Sequence, residues 1–183
     1  MDNEELRYNE NIDTADGRKV VGYAAVVDQP TVIFKDDAGN EYKEVFVPGC
    51  FDETNMDDVV FRYNHNDSFE ILARTQNNTL QVKSDEKGLY IEADLADTTH
   101  GNDIYKLIGR KDITAMSIGF AVSKDYYDIS TRTRYIQSVD TLFDVSAVDF
   151  PAYQGTSLRQ YKEAMDKAED EDKRRRIIIL SQE

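Results

Sequence analysis

Ser117 stands out because of the residues around it in the segment ITAMSIGFAV, which covers positions 113–122. Successive side chains of a strand point to opposite faces, so this segment has two different faces. One face is bulky and contains Met116, Ile118, Phe120 and Val122, whereas the other is nearly bare and contains Ala115, Ser117, Gly119 and Ala121. A bare face leaves room for a substrate backbone to approach a serine hydroxyl, which is the first requirement of a serine nucleophile. The alternative is a strand packed closely beneath a helix, where small residues serve packing alone.

A serine nucleophile also needs a base, and the chain contains only two histidines, His65 and His100. In the segment DVVFRYNHND, alternation predicts that His65 shares a face with Val59, Phe61 and Tyr63, at the polar end of that apolar row. Imidazole groups generally titrate near neutral pH, so a histidine at the mouth of a core face is well placed as a base. The alternative is a hydrogen-bonded histidine at a sheet edge.

Asp144 is the candidate for the third group, which orients the base. In the segment TLFDVSAVDFPAY, alternation predicts that it shares a face with Leu142, Ser146 and Val148. A carboxylate in such an apolar strand is costly to bury without a partner, and a protonated histidine is a suitable one. An exposed strand face, or an ion pair with a lysine or arginine, are the alternatives.

Three other residues compete for these roles. His100, which precedes a predicted helix in DTTHGND, is the alternative third member, although a loop or helix-cap position also explains it. Cys50, in VPGCFDE, is a possible nucleophile but is better explained as a small buried side chain after a Pro-Gly turn. Ser146 is a second possible nucleophile, which we rank below Ser117 because large residues flank it on its own face.

Motifs for other chemistries are missing from the sequence. There is no glycine-rich phosphate loop, no H-E-x-x-H pattern and no paired metal-ligand spacing. The single cysteine excludes an intrachain disulfide and a cysteine-rich metal site. We therefore predict no metal and no cofactor.

The charge balance limits the classes of partner. The 183 residues include 22 Lys and Arg against 36 Asp and Glu, a formal net charge of −14. Such a balance argues against binding to nucleic acid, which needs clustered basic residues, and against binding to an anionic membrane surface. The cysteine content indicates a reducing cytosol, and no signal peptide or membrane span is visible, so we predict a protein that is not secreted.

Local patterns divide the chain into three parts. Residues 1–17 look like a flexible N-terminal arm, residues 18–156 are dominated by short strands, and residues 157–183 favour a charged helix. The segment GNDIYKLIGR has the apolar spacing of a short helix. Many short strands with turn signals suggest a barrel or a sandwich.

The order of several motifs along the chain resembles that of the prohead, or procapsid maturation, serine proteases of tailed bacteriophages. The motifs are GYAAV, EVFVPGCF, YNHN around His65, GLYIEADL, MSIGF around Ser117 and DVSAVDFPAY around Asp144, and together they cover roughly residues 20–158. Each motif alone is weakly specific, but their succession is typical of this family. The family is similar in fold to the herpesvirus capsid assembly proteases.

The resemblance implies a mainly β fold with a barrel of about seven strands flanked by helices. It implies Ser117 as the nucleophile, His65 as the general base and Asp144 as the orienting acid, with His100 as the open alternative for the third member. Ile118 and Gly119 lie next to the nucleophile and are candidates for the oxyanion region. The Cys50 position is usually a small residue in this family, in agreement with a structural role.

Three functional hypotheses follow. The leading one is a serine endopeptidase that acts inside an immature procapsid in the host cytoplasm, where it cleaves scaffolding protein, or the scaffold region of the capsid protein, and itself. The second is a non-catalytic assembly module that binds capsid or scaffold, and the third is a hydrolase of small esters. We also predict self-association, and docking of the segment after Ser157 on scaffold or on another copy.

Overall fold

The computed structural model describes residues 4–67, 71–149 and 155–180 of the chain, and these residues form eleven strands, two α-helices and one short 3-10 helix. The strands are β1 (Glu5–Asn9), β2 (Ile12–Ala15), β3 (Lys19–Val26), β4 (Thr31–Lys35), β5 (Glu41–Phe46), β6 (Val60–Tyr63), β7 (Ala73–Arg74), β8 (Leu80–Asp85), β9 (Gly88–Asp94), β10 (Ala115–Asp128) and β11 (Thr133–Val148). The helices are α1 (Thr99–Gly109) and α2 (Gly155–Leu180), and the 3-10 helix spans Thr75–Asn77.

The larger sheet has seven strands and is organised around β10 and β11, which are 14 and 16 residues long. Its main path runs β1-β10-β11-β5-β4, and β6 also pairs with β11 and carries β7 on its other edge. Because β11 is so long, two strands share its outer edge. Its first part runs parallel to β5, and its last part runs parallel to β6.

The smaller sheet has four antiparallel strands in the order β2-β3-β9-β8. The hydrophobic core brings together buried side chains of both sheets, since Val20, Leu89 and Ile91 belong to the same cluster as Met116 and Ile118. Gly22 in β3 is required by close packing, because a Cβ there would lie 1.9 Å from the carbonyl oxygen of Asn11.

The mainly β prediction is confirmed, but the predicted barrel of about seven strands is not found in the part of the chain that the structure describes. Neither of the two sheets is closed. Alternating hydrophobicity identifies strands and their buried faces, but it does not determine which strand edges meet. The number of sheets and their closure therefore depend on long-range pairing.

Residues 1–17, which we predicted to be a flexible arm, contain two paired strands. Strand β1 pairs with β10, and strand β2 pairs with β3. The charged residues of β1 suggest solvent exposure, yet Glu5 and Arg7 are buried and form ion pairs with Glu44 and Arg134. We refer to these four residues as the ion cluster. It fastens β1 to β5 and β11.

The two helices form where the sequence predicts them. The side chain of Thr98 caps α1 by accepting a hydrogen bond from the Gly101 amide at 3.1 Å. Helix α2 packs on the larger sheet through Tyr161, whose hydroxyl donates to the carbonyl oxygens of Lys43 and Arg132 at 2.8 and 3.0 Å. The three-part division of the chain stays a prediction, and residues 181–183 lie outside the described part. No described helix has a stretch long and apolar enough to cross a membrane.

Candidate active site

Ser117 lies in β10, the second strand from one edge of the larger sheet, with a paired strand on either side. It faces Tyr8 of β1 and Ser146 of β11 in the pairing register. The adjacent Met116 and Ile118 are fully buried in the core, so the two faces predicted for this strand are confirmed. Ser117 therefore projects from the opposite face of the sheet, which we call the site face. Its side chain is covered there, since the residue is only 5% exposed.

Asp144 reaches the site face because of an irregularity in the pairing of β11. Gly119 pairs with Asp144, but the next residue, Phe120, pairs with Leu142, so Phe143 is the extra residue of a β-bulge. Simple alternation predicts that Leu142 and Asp144 share a face. Instead, Leu142 is in the core and Asp144 is on the site face beside Phe143. The bulge is what turns the carboxylate away from the core.

His65 also departs from simple alternation. Within β6, Phe61 is in the core and Tyr63 packs against it, so an extended strand would direct His65 to the core as well. The strand ends at Tyr63, however, and Asn64 and His65 have φ values of 52° and 53°. This left-handed turn brings His65 to the site face. The turn is held by the backbone N–H of Asn64, which donates to the carbonyl oxygen of Ala147 at 3.0 Å.

His65 and Asp144 form a direct contact on the site face. The His65 Nδ1 atom lies 2.7 Å from Asp144 Oδ1 and 3.1 Å from Asp144 Oδ2. The two side chains are 12% and 10% exposed, so water screens this interaction only weakly. The backbone N–H of His65 donates to Ser146 Oγ at 3.1 Å. The imidazole is thus held from two sides, by a carboxylate on its ring and by a hydroxyl on its backbone.

The other ring nitrogen of His65 is left without a partner. Its Nε2 atom is buried and makes no hydrogen bond with any atom of the described residues. Directly paired residues of antiparallel strands have Cβ atoms about 5 Å apart. The pairing of Ser117 with Ser146 therefore places the Ser117 side chain next to the hydroxyl that anchors His65. Activation of a serine requires a hydrogen bond between its hydroxyl and the base nitrogen, and such bonds are often long or poorly aligned in uncomplexed enzymes. His65 Nε2 and Ser117 do not form this bond in the present structure.

Three competing residues lie in different surroundings. His100 is exposed in the first turn of α1, a helix that packs on β2 of the smaller sheet. Cys50 is buried in the core, and burial raises the pKa of its thiol to about 12, so the thiol stays protonated and unreactive near neutral pH. The Ser146 hydroxyl is fully buried and already accepts the His65 amide.

The proposed oxyanion residues, Ile118 and Gly119, have a paired strand on both sides. Ile118 pairs with Arg7 and Val145, and Gly119 pairs with Leu6 and Asp144. Backbone groups at such positions bond to the neighbouring strands. This finding weighs against both amides as oxyanion donors in the present conformation, and their role stays a prediction.

Glu4 lies beside the candidate site, and the sequence analysis did not identify it. Its side chain lines a cleft of about 420 Å³ together with His65 and Asp144. A Cβ added to Gly119 would lie 2.5 Å from Glu4 Oε1, so the missing side chain of Gly119 makes room for this carboxylate. Burial, followed by repulsion from Asp144, raises the pKa of Glu4. No local pattern identifies Glu4, because only the pairing of β1 with β10 brings it here.

Comparison with known proteins agrees with the succession of motifs. The sequence model of the caudovirus prohead serine proteases matches residues 4–171. The chain belongs to this family. All six motifs and the residues of the candidate site lie within the matched range, so the predicted family resemblance is confirmed.

One relative in the family is the prohead protease of Enterobacteria phage HK97. It is 26% identical to this chain over 155 residues, which cover 81% of this chain and 63% of that protein. The chain thus spans less than two thirds of that relative's length. No solved structure matches the chain, and the predicted similarity in fold to herpesvirus capsid assembly proteases stays a prediction.

Proposed function

We propose that this protein is a serine endopeptidase that cleaves scaffolding protein, or the scaffold region of the capsid protein, and itself during procapsid maturation. It acts inside the immature procapsid in the host cytoplasm. The observation that carries the proposal is the contact between His65 Nδ1 and Asp144 at 2.7 Å. It is supported by the buried His65 Nε2 atom, which has no partner among the described residues, and by the bond of the His65 backbone N–H to Ser146, the strand partner of Ser117. Family membership supports the same activity.

The three residues have distinct roles in the proposed reaction. Ser117 Oγ attacks the carbonyl carbon of the peptide bond and gives its proton to His65 Nε2. His65 then passes this proton to the leaving nitrogen as the C–N bond breaks. Asp144 stays ionised and accepts a hydrogen bond from the Nδ1–H group of His65, which fixes the tautomer and stabilises the imidazolium. A water molecule hydrolyses the resulting acyl-enzyme by the same path in reverse order, and this step regenerates Ser117.

Ser146 has a supporting role in this scheme. Its hydroxyl accepts the His65 amide and so holds the left-handed turn that directs the imidazole to the site face. Because Ser146 is also the direct neighbour of Ser117 in the sheet, one residue couples the position of the base to the strand of the nucleophile.

The test is co-expression of this protein with the capsid and scaffolding proteins of its own phage, followed by measurement of intact masses. We compare wild type with Ser117→Ala and with Ser123→Ala, an exposed serine of the same strand. Fragments with wild type and Ser123→Ala, and none with Ser117→Ala, would support the protease and identify the cleavage sites. Fragments that persist with Ser117→Ala would refute it.

If no version produces fragments, a serine-directed covalent reagent separates the remaining hypotheses. Labelling of Ser117 would indicate an enzyme that awaits an assembly signal, whereas no labelling would favour the non-catalytic assembly module. Turnover of small esters with no cleavage of any capsid component would favour the ester hydrolase. Self-association, and docking of the segment after Ser157 on scaffold or on another copy, are further proposals. The oligomeric mass of the purified protein, measured with and without residues 157–183, tests whether this segment joins copies of the chain.

A further inference from the structure

The cleft beside His65 is the natural place for a substrate side chain that flanks the scissile bond. Its volume is about 420 Å³, and Leu6 and Phe143 contribute apolar walls. His65 and Asp144 line this cleft, and its residue Glu4 lies against Gly119, two residues along β10 from Ser117. A peptide whose carbonyl group is at Ser117 therefore extends a neighbouring side chain, rather than the scissile bond itself, into this cleft.

Four carboxylates line this cleft, and three of them contact a basic side chain. Asp58 is bound by Arg74, whose Nε lies 2.6 Å from Asp58 Oδ1. Asp67 is bound by Arg62 at 3.4 Å, and Asp144 is bound by His65. Among the described residues, the remaining carboxylate of the cleft, Glu4, forms no ion pair.

The position of Glu4 is built into the fold. Glu4 directly precedes β1, and β1 is fastened by the buried residues Glu5 and Arg7 of the ion cluster. Gly119 provides the space that the carboxylate occupies. The pKa of Glu4 is raised, first of all by burial, and a cation beside the carboxylate would offset the cost of its lost hydration.

We propose that Glu4 is a specificity-determining residue that binds a lysine or arginine side chain of the substrate, at a position flanking the scissile bond on the His65 side. The inference rests on the proposed protease function and goes beyond it by naming the class of side chain and the residue that selects it. A basic side chain fits for two reasons. Its ammonium or guanidinium forms a charge-assisted hydrogen bond with a carboxylate, and its aliphatic stem packs on Leu6 and Phe143.

The experiment profiles cleavage sites in a pool of peptides made by digesting a bacterial proteome with a glutamate-specific protease, which leaves lysine and arginine inside the peptides. Four versions of the full chain are compared: wild type, Glu4→Gln, Glu4→Lys and Glu10→Gln. Glu10 is an exposed glutamate just after β1 and serves as the matched control. Ser117→Ala defines the background.

We expect wild type and Glu10→Gln to prefer lysine or arginine at one position within about four residues of the cleaved bond. For synthetic peptides that differ only there, Glu4→Gln should lower the lysine-to-glutamine ratio of kcat/KM about tenfold, as expected for loss of one partly desolvated charge pair. The kcat/KM for the glutamine peptide is the reference for this ratio, and the melting temperature of each variant shows whether it is folded. Glu4→Lys should shift the preference towards aspartate and glutamate.

Two negative results have different meanings. If wild type cleaves the pool and Glu4→Gln and Glu4→Lys have its profile, the role of Glu4 is refuted while the protease function stands. If wild type produces no cleavage above the Ser117→Ala background, the protease function itself fails for these peptides, and the inference about Glu4 fails with it.

Discussion

Charged groups are buried on both faces of the larger sheet, but the two faces differ in how completely these groups are hydrogen-bonded. On the core side, the ion cluster joins Glu5, Arg7, Glu44 and Arg134, each at most 5% exposed. Arg7 bonds both glutamates, and so does Arg134. On the site face, His65 and Asp144 form one pair in which a ring nitrogen is left without a partner.

We propose that this difference separates a network that supports the fold from one that supports chemistry. Buried polar groups are normally hydrogen-bonded, and an unmade bond costs roughly 1–3 kcal/mol of the free energy of folding. The ion cluster avoids this cost because both its guanidinium groups bond to two carboxylates. The site face bears it at His65 Nε2, the atom that has to accept a proton from Ser117 in the proposed reaction. Arg18 Nε is a second buried atom without a hydrogen-bond partner among the described residues, and we propose that the unsatisfied Nε2 atom of His65 reflects its role as the base.

The largest effect should come from Ser117→Ala, which removes the nucleophile and leaves both charged groups in place. We expect turnover to fall by about 10⁴- to 10⁶-fold. The melting temperature should change by less than about 3 °C, because only one hydroxyl group is lost. Peptide hydrolysis and calorimetry on the same samples test both expectations. A large drop in melting temperature would mean that Ser117, like the ion cluster, stabilises the fold.

Asp144→Asn tests the site face without changing its shape. An asparagine amide donates to His65 Nδ1, which forces the proton onto Nε2 and removes the base, so turnover should fall by roughly 10⁴-fold. Asp140→Asn, at an exposed position of the same strand, is the control and should be fully active. Pre-steady-state kinetics of acylation measures the effect. Retention of most of the activity by Asp144→Asn would argue against Asp144 as the orienting acid and in favour of His100.

Arg134→Met should produce the opposite result on the core side. Losing this cation leaves the carboxylates of Glu5, Glu44 and Asp125 without one of their partners, so the free energy of unfolding should fall by about 3–5 kcal/mol. Activity per folded molecule should fall far less than in Asp144→Asn, because the ion pairs of Arg134 are with Glu5, Glu44 and Asp125. Urea unfolding measures the loss, and Lys19→Met, which breaks the exposed pair with Glu92, is the control with an expected loss below about 1 kcal/mol. Equal losses in the two variants would contradict the distinction between buried and exposed pairs.

The smallest effect concerns Cys50, an ionisable group buried on the core side without a charged partner. Burial raises its pKa to about 12 in the folded protein from an ordinary value of 9.0. Since the unfolded thiol ionises first, its contribution to stability is complete below about pH 9 and is lost as the pH rises towards 12. Cys50→Ala should therefore weaken the decline of stability over this range, as measured by urea unfolding from pH 8 to 11. An identical decline in both proteins would show that Cys50 contributes nothing to it.

Some elements could be predicted from the sequence because the pattern that defines them is local. The two faces of β10 follow from alternation in an uninterrupted strand, and both helices follow from spacing and composition. Predictions failed where a local irregularity or a distant partner decides. The bulge at Phe143 and the left-handed turn at Asn64 and His65 each reverse an alternation. Asn and His adopt a positive φ more often than most residues, but this preference alone does not predict the turn.

The burial of the N-terminal charged residues also could not be predicted from local sequence, for an energetic reason. Glu5 and Arg7 are polar in sequence and were assigned to a flexible arm, but their partners Glu44 and Arg134 come from distant segments. A charge is buried only when such partners meet it, so its burial cannot be predicted from its neighbours along the chain. For the same reason Glu4 did not appear as a site residue.

The sequence by itself determined the family, the mainly β character, the two faces of the Ser117 strand and the residue types available for catalysis, because all of these depend on the identity and order of residues. Only the tertiary structure decided that His65 and Asp144 lie 2.7 Å apart, that the N-terminal segment completes a sheet and that Glu4 enters the cleft. These features arise from contacts between residues far apart in the chain, and the chain makes such contacts only when its strands pair and its core closes.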